Sequence, residues 1–289
     1  MSEDPFVTHR SLLFTVAYEM LGSAADAEDV VQETWLRWDG VDQATIEAPR
    51  AYLVRIVTRQ ALNRIRTLQR RREDYVGEWL PEPLLTTPDV AEDAEFAESL
   101  SIAMLTVLET LNPAERAVFV LKEVFDVPYP DIAAALDKSP AAVRQIAHRA
   151  REHVQARRPR IAVDRAEQER VVAQFLQALE TGQLQELLDV LAPEVVMVAD
   201  GGGLAAAIVK PVYGAGQVAT LLARFRAIVP DAVIETIWLN GAPAYSISQA
   251  GEVHTAVSVV VADGRITHIY SIRNPHKLAH LGQPAAVTR

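Results

Sequence analysis

Between Pro140 and Gln155 the spacing of Val143, Ile146 and Ala150 turns one helical face inward and leaves Arg144, Gln145, His148, Arg149 and Arg151 on the other faces. Guanidinium, amide and imidazole groups on one short helix can hydrogen-bond base edges or phosphates in a major groove. A second concentration of positive charge lies upstream, where residues 50–72 hold 8 Arg and no acid. Such a run suits a phosphate backbone. A third group has the opposite sign. Glu28, Asp29 and Glu33 share a helix face, and an acidic face suits a protein surface better than DNA. Other chemistry is sparse. The chain has no Cys, hence no thiolate metal site, disulfide or cysteine nucleophile. His276 and His280 are spaced i, i+4 without a third ligand, so surface histidines are the plainer account. Gly201–Gly203 lacks both the Lys-Ser/Thr sequel of a phosphate loop and the glycine spacing of a dinucleotide fingerprint. Asp200 ahead of those glycines reads as a turn or a closely approached backbone.

Composition bounds the frame that carries these groups. A chain of 289 residues exceeds what one compact core usually organises, so two or three domains are expected. Hydrophobic residues at 49 % and charged residues at 23 % exclude a mostly disordered chain. No apolar run approaches the roughly 20 residues of a membrane span, and the acidic N-terminus is unlike a signal peptide. A soluble, cytoplasmic protein without a membrane partner is expected. The net charge of −10 is unevenly spread. Residues 1–49 hold 2 Lys/Arg against 10 Asp/Glu, residues 73–98 hold 9 acids and no base, and residues 140–160 hold 6 bases against 1 acid. A polyanion can dock on the two basic islands while the rest repels it. The alternative is solvated Arg faces neutralised by the acidic stretch between them.

Residues 6–72 read as helices. In the segment 25–38, Val30, Val31, Trp35 and Leu36 fall close to helical spacing, and Asp39-Gly40 stops the helix. Pro49 suits the first turn of the next helix, which should reach about Leu68 with Tyr52, Leu53, Ile56, Val57, Leu62 and Ile65 on its buried side. Residues 73–98 are acidic and contain Pro81, Pro83 and Pro88, which favour extended chain. Within them Trp79, Leu80 and Leu84 are too apolar for a plain tether, so a docked segment is expected, with burial against the preceding helices as the alternative. Helix resumes at 100–111 and 114–124. Then Tyr129–Leu136, the turn Asp137-Lys138-Ser139 and a helix over 140–155, with Ser139 as its cap, form a helix-turn-helix pattern. Helices over 168–179 and 184–191 precede strand-like runs at 195–198, 233–239, 244–248, 254–261 and 266–272. That order implies an α+β domain with one curved antiparallel sheet.

The first 160 residues resemble the extracytoplasmic-function (ECF) sigma factors of bacterial RNA polymerase. Asp26–Trp35 (DAEDVVQETW) resembles the region 2 helix that docks on the polymerase clamp. Tyr52–Arg66 resembles the helix leading into the reader of the −10 element. Leu111–Arg116 (LNPAER) with the helix-turn-helix resembles region 4, which reads the −35 element. The remainder resembles the SigJ-like branch, which adds a C-terminal SnoaL-like domain of the NTF2 fold. Its signatures are Trp79-Leu80-Pro81-Glu82-Pro83-Leu84, then Asp200-Gly201-Gly202-Gly203, then Asn274-Pro275-His276-Lys277-Leu278. Two departures are visible: Leu204 stands where the branch has Lys, and His276 where it has Asp.

The resemblance implies a multidomain chain: all-α sigma region 2 at 1–75, a linker at 76–98, an all-α region 4 at 99–160 and an α+β SnoaL-like cone at 161–289. It implies a promoter-specificity subunit, with activity controlled by its own C-terminal domain and no separate anti-sigma factor required. Partners would be core polymerase, through clamp and flap, and promoter DNA. Asp26, Asp29, Gln32, Glu33 and Trp35 would touch polymerase. Arg59, Asn63, Arg64, Arg66, Arg70, Arg71 and Arg72 would serve the −10 region, and Arg144, Gln145, His148, Arg149 and Arg151 the −35 element. The three signature segments would form the inter-domain regulatory contact. Tyr75, a lone aromatic, reads as packed rather than as a base-stacking platform. NTF2-like cones also scaffold small enzymes, whose carboxylate bases have counterparts in Asp200, Glu194 and Glu235. Without Cys or a tight acid–His pairing, no catalytic residue, metal or cofactor is assigned, and the cone retains room for a small-molecule ligand. The alternative reading is a ligand-sensing DNA-binding regulator that acts without core polymerase.

Overall fold

A computed structural model describes residues 4–158 and 165–289, without the side chains of residues 69–73 and 226. Helix α1 (Pro5–Leu21) starts on Asp4, whose carboxylate accepts the Phe6 amide at 2.8 Å, and ends at Gly22 with φ 67°. Every residue from Leu12 to Leu21 is buried, so α1 is the axis around which α2 (Ala24–Asp39) and α3 (Pro49–Glu73) pack. The inner stripe of α2 is Ala27, Val30, Val31, Thr34 and Trp38. Here the structure departs from the periodicity: Trp35 and Leu36 are 42 % and 64 % exposed, and Trp38 takes the core position. Steps of three and four from Val31 reach Thr34 and Trp38 on one face, and the Trp38 indole N–H donates to Asp4 at 3.0 Å.

The linker runs extended from Val76 to Thr87, then tightens into a 3₁₀ turn over Pro88–Glu92. Helix α4 (Ala94–Leu100) begins inside the segment expected to be linker throughout, because Asp93, beyond the last proline, caps it through the Phe96 amide. The expected helix over 100–111 is broken at residue 101 and ends at Leu108. Ser101 ends α4 and caps α5 (Ile102–Leu108) by accepting the Met104 amide at 3.1 Å. Asn112 and Glu115 form a reciprocal capping box on α6 (Pro113–Phe119), which widens into a π-helical turn over Val120–Val124. The helix-turn-helix is α7 (Tyr129–Leu136) and α8 (Pro140–Arg157), with Asp137 left-handed at φ 52° and Ser139 capping α8. Residues from all three leading helices and from α4 to α8 share one continuous core, in which Leu21, Val57, Leu105, Leu121 and Val143 are buried.

Beyond Arg165 come α9 (Arg165–Thr181) and α10 (Leu184–Val190), then β1 (Leu191–Asp200) and β2 (Val212–Tyr213). Helices α11 (Ala215–Leu222) and α12 (Phe225–Ile228) lead to the meander β3 (Val233–Leu239), β4 (Ala242–Gln249), β5 (Glu252–Ala262) and β6 (Arg265–Ile272), closed by α13 (Pro275–Leu278). The six strands lie in the order β2-β1-β6-β5-β4-β3. The expected purely antiparallel sheet is mixed instead, because the last strand of the meander returns beside β1 and runs parallel to it, pairing Val198 with Tyr270. One face, with Tyr245, Val257 and Ile269, packs on α9 to α12. Alternate residues, including Ala244, Ala256 and Tyr270, pack on Leu80 of the linker and Ile102 of α5. Both faces of the sheet are thereby covered, and the second is a domain interface.

Candidate functional site

The three signature segments meet around one buried carboxylate. Asp200, fully buried at the end of β1, accepts the Leu80 amide at 2.9 Å and the Lys277 ammonium at 2.6 Å on one oxygen, and the Tyr75 hydroxyl at 2.6 Å on the other. Lys277 also donates to the Leu80 carbonyl and lies 4.0 Å from the centroid of the Trp79 ring. Its charge is matched by a carboxylate, a carbonyl and an aromatic face. Asn274 caps α13 through the His276 amide and donates to the Tyr75 hydroxyl at 2.8 Å. Burial and the Asp200 carboxylate push the Tyr75 phenol well above its ordinary value, so it stays a donor. Tyr75 is packed, as its isolation suggests, but it is also the third strand of the clasp. The glycines are steric necessities. A Cβ on Gly201 would lie 2.3 Å from the Ala205 carbonyl oxygen, and one on Gly202, at φ 58°, 2.3 Å from Asn274 Nδ2.

The rest of the linker is held as firmly. Glu82 is 4 % exposed, and its carboxylate accepts the Ser23 hydroxyl at 3.0 Å and the Ala24 amide at 2.9 Å, capping α2 from another segment. The Glu82 amide donates to the Gly22 carbonyl at 2.8 Å, and its carbonyl accepts the Tyr18 hydroxyl at 2.6 Å. Pro81 and Pro83 are buried, and so are Leu80 and Leu84. Asn240, in the β3–β4 turn at φ 53°, brackets Leu84 with both its backbone and side chain and donates to the Tyr18 hydroxyl and the Leu100 carbonyl. An Asn-Gly turn between strands is readable from sequence. That it would grip the linker is not. Leu278 is buried beneath the clasp, whereas Pro275 and His276 are exposed and Leu204 is 58 % exposed. The two departures from the branch pattern thus fall outside the buried contacts. His280 sits 2.7 Å from Glu82 Oε1, the opposite edge of the carboxylate that caps α2.

The other candidate groups lie on the helical half. On α2, Gln32, Glu33 and Trp35 are exposed, while Asp26 and Asp29 pair with Arg64 of α3 at 2.6 and 2.8 Å. Glu33 accepts from Gln60. Asn63 and Arg66 are exposed and hydrogen-bonded to each other at 3.1 Å. The side chains of Arg70, Arg71 and Arg72 lie outside the described residues. Arg59 reaches across to α7, donating to the carbonyls of Ala134 at 2.7 Å and Ala135 at 3.0 Å and to Asp137 at 3.1 Å. It supplies the cation that a helix C-terminus prefers. On α8, Val143, Ile146 and Ala150 are buried, and Arg144, Gln145, His148, Arg149 and Arg151 are exposed. Arg144 lies 5.6 Å from the Tyr129 ring centroid, and Arg151 pairs with Glu123 at 3.0 Å. Neither Glu194 nor Glu235 lines a cavity in the sheet domain, both being exposed, and Asp200 is committed to the clasp.

Sequence reasoning passed over a buried polar group beneath these contacts. Arg116, 4 % exposed, donates to the Glu19 carbonyl at 2.9 Å and the Glu109 carboxylate at 2.5 Å. Burial pushes the Glu19 carboxyl up to about 8, with only the Ser99 hydroxyl at 2.9 Å as its side-chain hydrogen-bond partner. A Glu within the apolar run of α1 is the signal that was available.

A helix-turn-helix with an exposed basic second helix, joined to a helical domain and a sheet domain, is the architecture of a DNA-binding protein with an appended SnoaL-like domain of the NTF2 fold. Residues 6–71 match sigma-70 region 2, and residues 101–154 match sigma-70 region 4. The ECF RNA polymerase sigma factor SigJ of Mycobacterium tuberculosis is 36 % identical over 292 residues, covering 96 % of this chain and 93 % of that protein. The probable ECF sigma factor SigI of the same species is 30 % identical, covering 93 % of this chain and 92 % of the relative. The crystal structure of M. tuberculosis SigJ superposes with a TM-score of 0.78 at 32 % identity, covering 96 % of this chain and 98 % of that one. The chain belongs to the ECF RNA polymerase sigma factors.

Proposed function

We propose that the SnoaL-like domain controls this sigma factor from within the chain by holding the linker, and that this replaces a separate anti-sigma protein. In this reading the division is region 2 at 1–75, linker at 76–98, region 4 at 99–160 and regulatory cone at 161–289. The exposed Gln32, Glu33 and Trp35 of α2, with Asp26 and Asp29, meet core polymerase. Asn63, Arg64, Arg66 and the arginines that follow meet the −10 region, and α8 reads the −35 element in the cytoplasm alongside polymerase.

The observation that carries the reading is that regions 2 and 4 share one hydrophobic core while the cone grips the linker between them. The two promoter elements are about 25 base pairs apart, or about 85 Å of duplex at 3.4 Å per pair. A compact chain of 289 residues has a radius of gyration of about 19 Å and is about 50 Å across. That the packed arrangement is too short for both elements supports reading it as a closed form, from which engagement would require α7 to leave α3. Arg59 serves that contact in the closed form and is freed for DNA when it opens. Promoter-specific transcription with core polymerase, run beside small-angle scattering on wild type and Trp79→Ala, tests the reading. The variant should be more expanded and should change output at a promoter that needs both elements. Equal compactness and equal output would reduce the linker to a tether.

A further inference from the structure

The concave side of the sheet, opposite the linker, holds a cavity of about 180 Å³. Its walls are mainly apolar, with Leu179 of α9, Leu222 of α11, Phe225 of α12 and Val257 and Ile269 of the sheet among them, and among the described residues no Asp or Glu lines it. At one end stand His254, near the start of β5, and Arg273, just past β6. Two buried nitrogens there, His254 Nε2 and Arg273 Nε, have no hydrogen-bond partner among the described residues. Arg273 uses Nη1 on the Ala206 carbonyl and forms no ion pair among the described residues. Burial, with the Arg273 charge adding to it, holds the His254 imidazole below its ordinary value. Burial alone likewise lowers Arg273.

An uncompensated guanidinium facing an apolar chamber lacks an anion, and a free N–H on a planar fork suits a carboxylate. The volume sets the size: a cavity of about 150 Å³ lined by apolar side chains admits benzene. We propose that this chamber is a binding site for a small monocarboxylate with an apolar body of about one ring, its carboxylate held by Arg273 and His254 and its body among Leu222, Phe225 and Ile269. Binding would supply the missing counter-charge and satisfy two buried donors or acceptors at once. The proposal stands apart from the linker reading, because the cavity lies on the other face of the sheet and its occupancy needs neither polymerase nor DNA to be measured.

The test is calorimetry on the full chain with phenylacetate and 2-phenylethanol, which share a shape and differ in charge. Phenylacetate should bind one-to-one and at least tenfold more tightly than the alcohol, and Arg273→Met should erase that preference. In wild type, phenylacetate should shift the NMR signals of His254, Thr255 and Ile269, which locates the site without any variant. No binding of phenylacetate at millimolar concentration, equal affinity for the two probes, or shifts confined to another surface would overturn the assignment. So would an Arg273→Met protein that keeps the wild-type preference.

Discussion

At the scale of single residues, one buried ion pair and one buried carboxyl have measurable consequences. Lys277 and Asp200 form an ion pair whose side chains are 11 % and 0 % exposed, inside an interface that also orders Tyr75, Trp79 and Leu80. Removing one partner of such a pair leaves an uncompensated charge, at a cost of about 3–5 kcal/mol. Lys277→Met should therefore lower urea stability by that order, and Asp200→Asn/Lys277→Met should recover most of it, because the double variant leaves no charge unpaired. Glu19 carries the second consequence. Its folded carboxyl is raised from 4.5 to about 8, so the native state binds the extra proton across that interval. Stability contributed by protonated Glu19 is therefore present at pH 4.5 and lost as pH rises through about 8. Glu19→Gln keeps a neutral partner for Ser99 and should gain steadily on wild type between those limits in urea titrations at stepped pH. A constant difference would show that Glu19 titrates alike in the folded and unfolded states. Neither group was legible as a pair from sequence. Asp200 and Lys277 sit in two short motifs 77 residues apart, and their meeting is fixed only when β6 returns beside β1.

At the scale of elements, the sequence was most readable where local signals agree. Ser139 before Pro140, with Val143, Ile146 and Ala150 at helical spacing, is enough to place α8 and its exposed basic face. It was least readable where two faces compete for the same apolar residues. Helix α2 has both Trp35 and Trp38, and periodicity favours Trp35 until Asp4, far upstream, accepts the Trp38 indole. The parallel β1–β6 pairing was hidden for a related reason, since strand patterns show alternation but not neighbours. The exposed Trp35 and Leu36 now give a cleaner probe of α2 than charge reversal at Asp29, which would also break its pair with Arg64. Trp35→Ala/Leu36→Ala should leave the melting temperature close to wild type and weaken core-polymerase binding at least tenfold in a fluorescence titration. Unchanged affinity would move the interface to another helix. On α8, Arg144→Ala should cost about 1–3 kcal/mol of binding at one base position if it reads a base edge. A uniform loss across sequences with a shallower salt slope would make it a phosphate contact instead.

At the scale of the whole molecule, the helical half behaves as one body because α3 and α7 are joined at two kinds of contact. Val54 of α3 lines one small gap with Leu121, Val127 and Ile132, all members of the shared apolar core, and Arg59 closes the C-terminus of α7. The seam is not sealed by the cone; the cone acts one step away, on the linker. Holding Glu82 against the start of α2 and Leu84 against Asn240 fixes how far α4 and α5 can move from region 2. In the closed–open reading proposed above, opening requires two losses, the Arg59 contacts and the linker contacts, and each alone should be tolerated by the other. A hydrogen bond to a charged group contributes about 1.5–3 kcal/mol net, and burying a large apolar side chain contributes a similar amount. Arg59→Ala and Trp79→Ala taken singly should each shift the closed–open balance without abolishing the closed form. The double variant should exceed the sum if the seam and the linker restrain one cooperative motion, since free energies that add in a single two-state transition multiply the open population. Small-angle scattering on the four proteins reads this directly as the radius of gyration. Additive changes would mean that the linker and the α3–α7 seam move independently, and then the grip of the cone on Trp79–Leu84 would set position without setting the opening of regions 2 and 4.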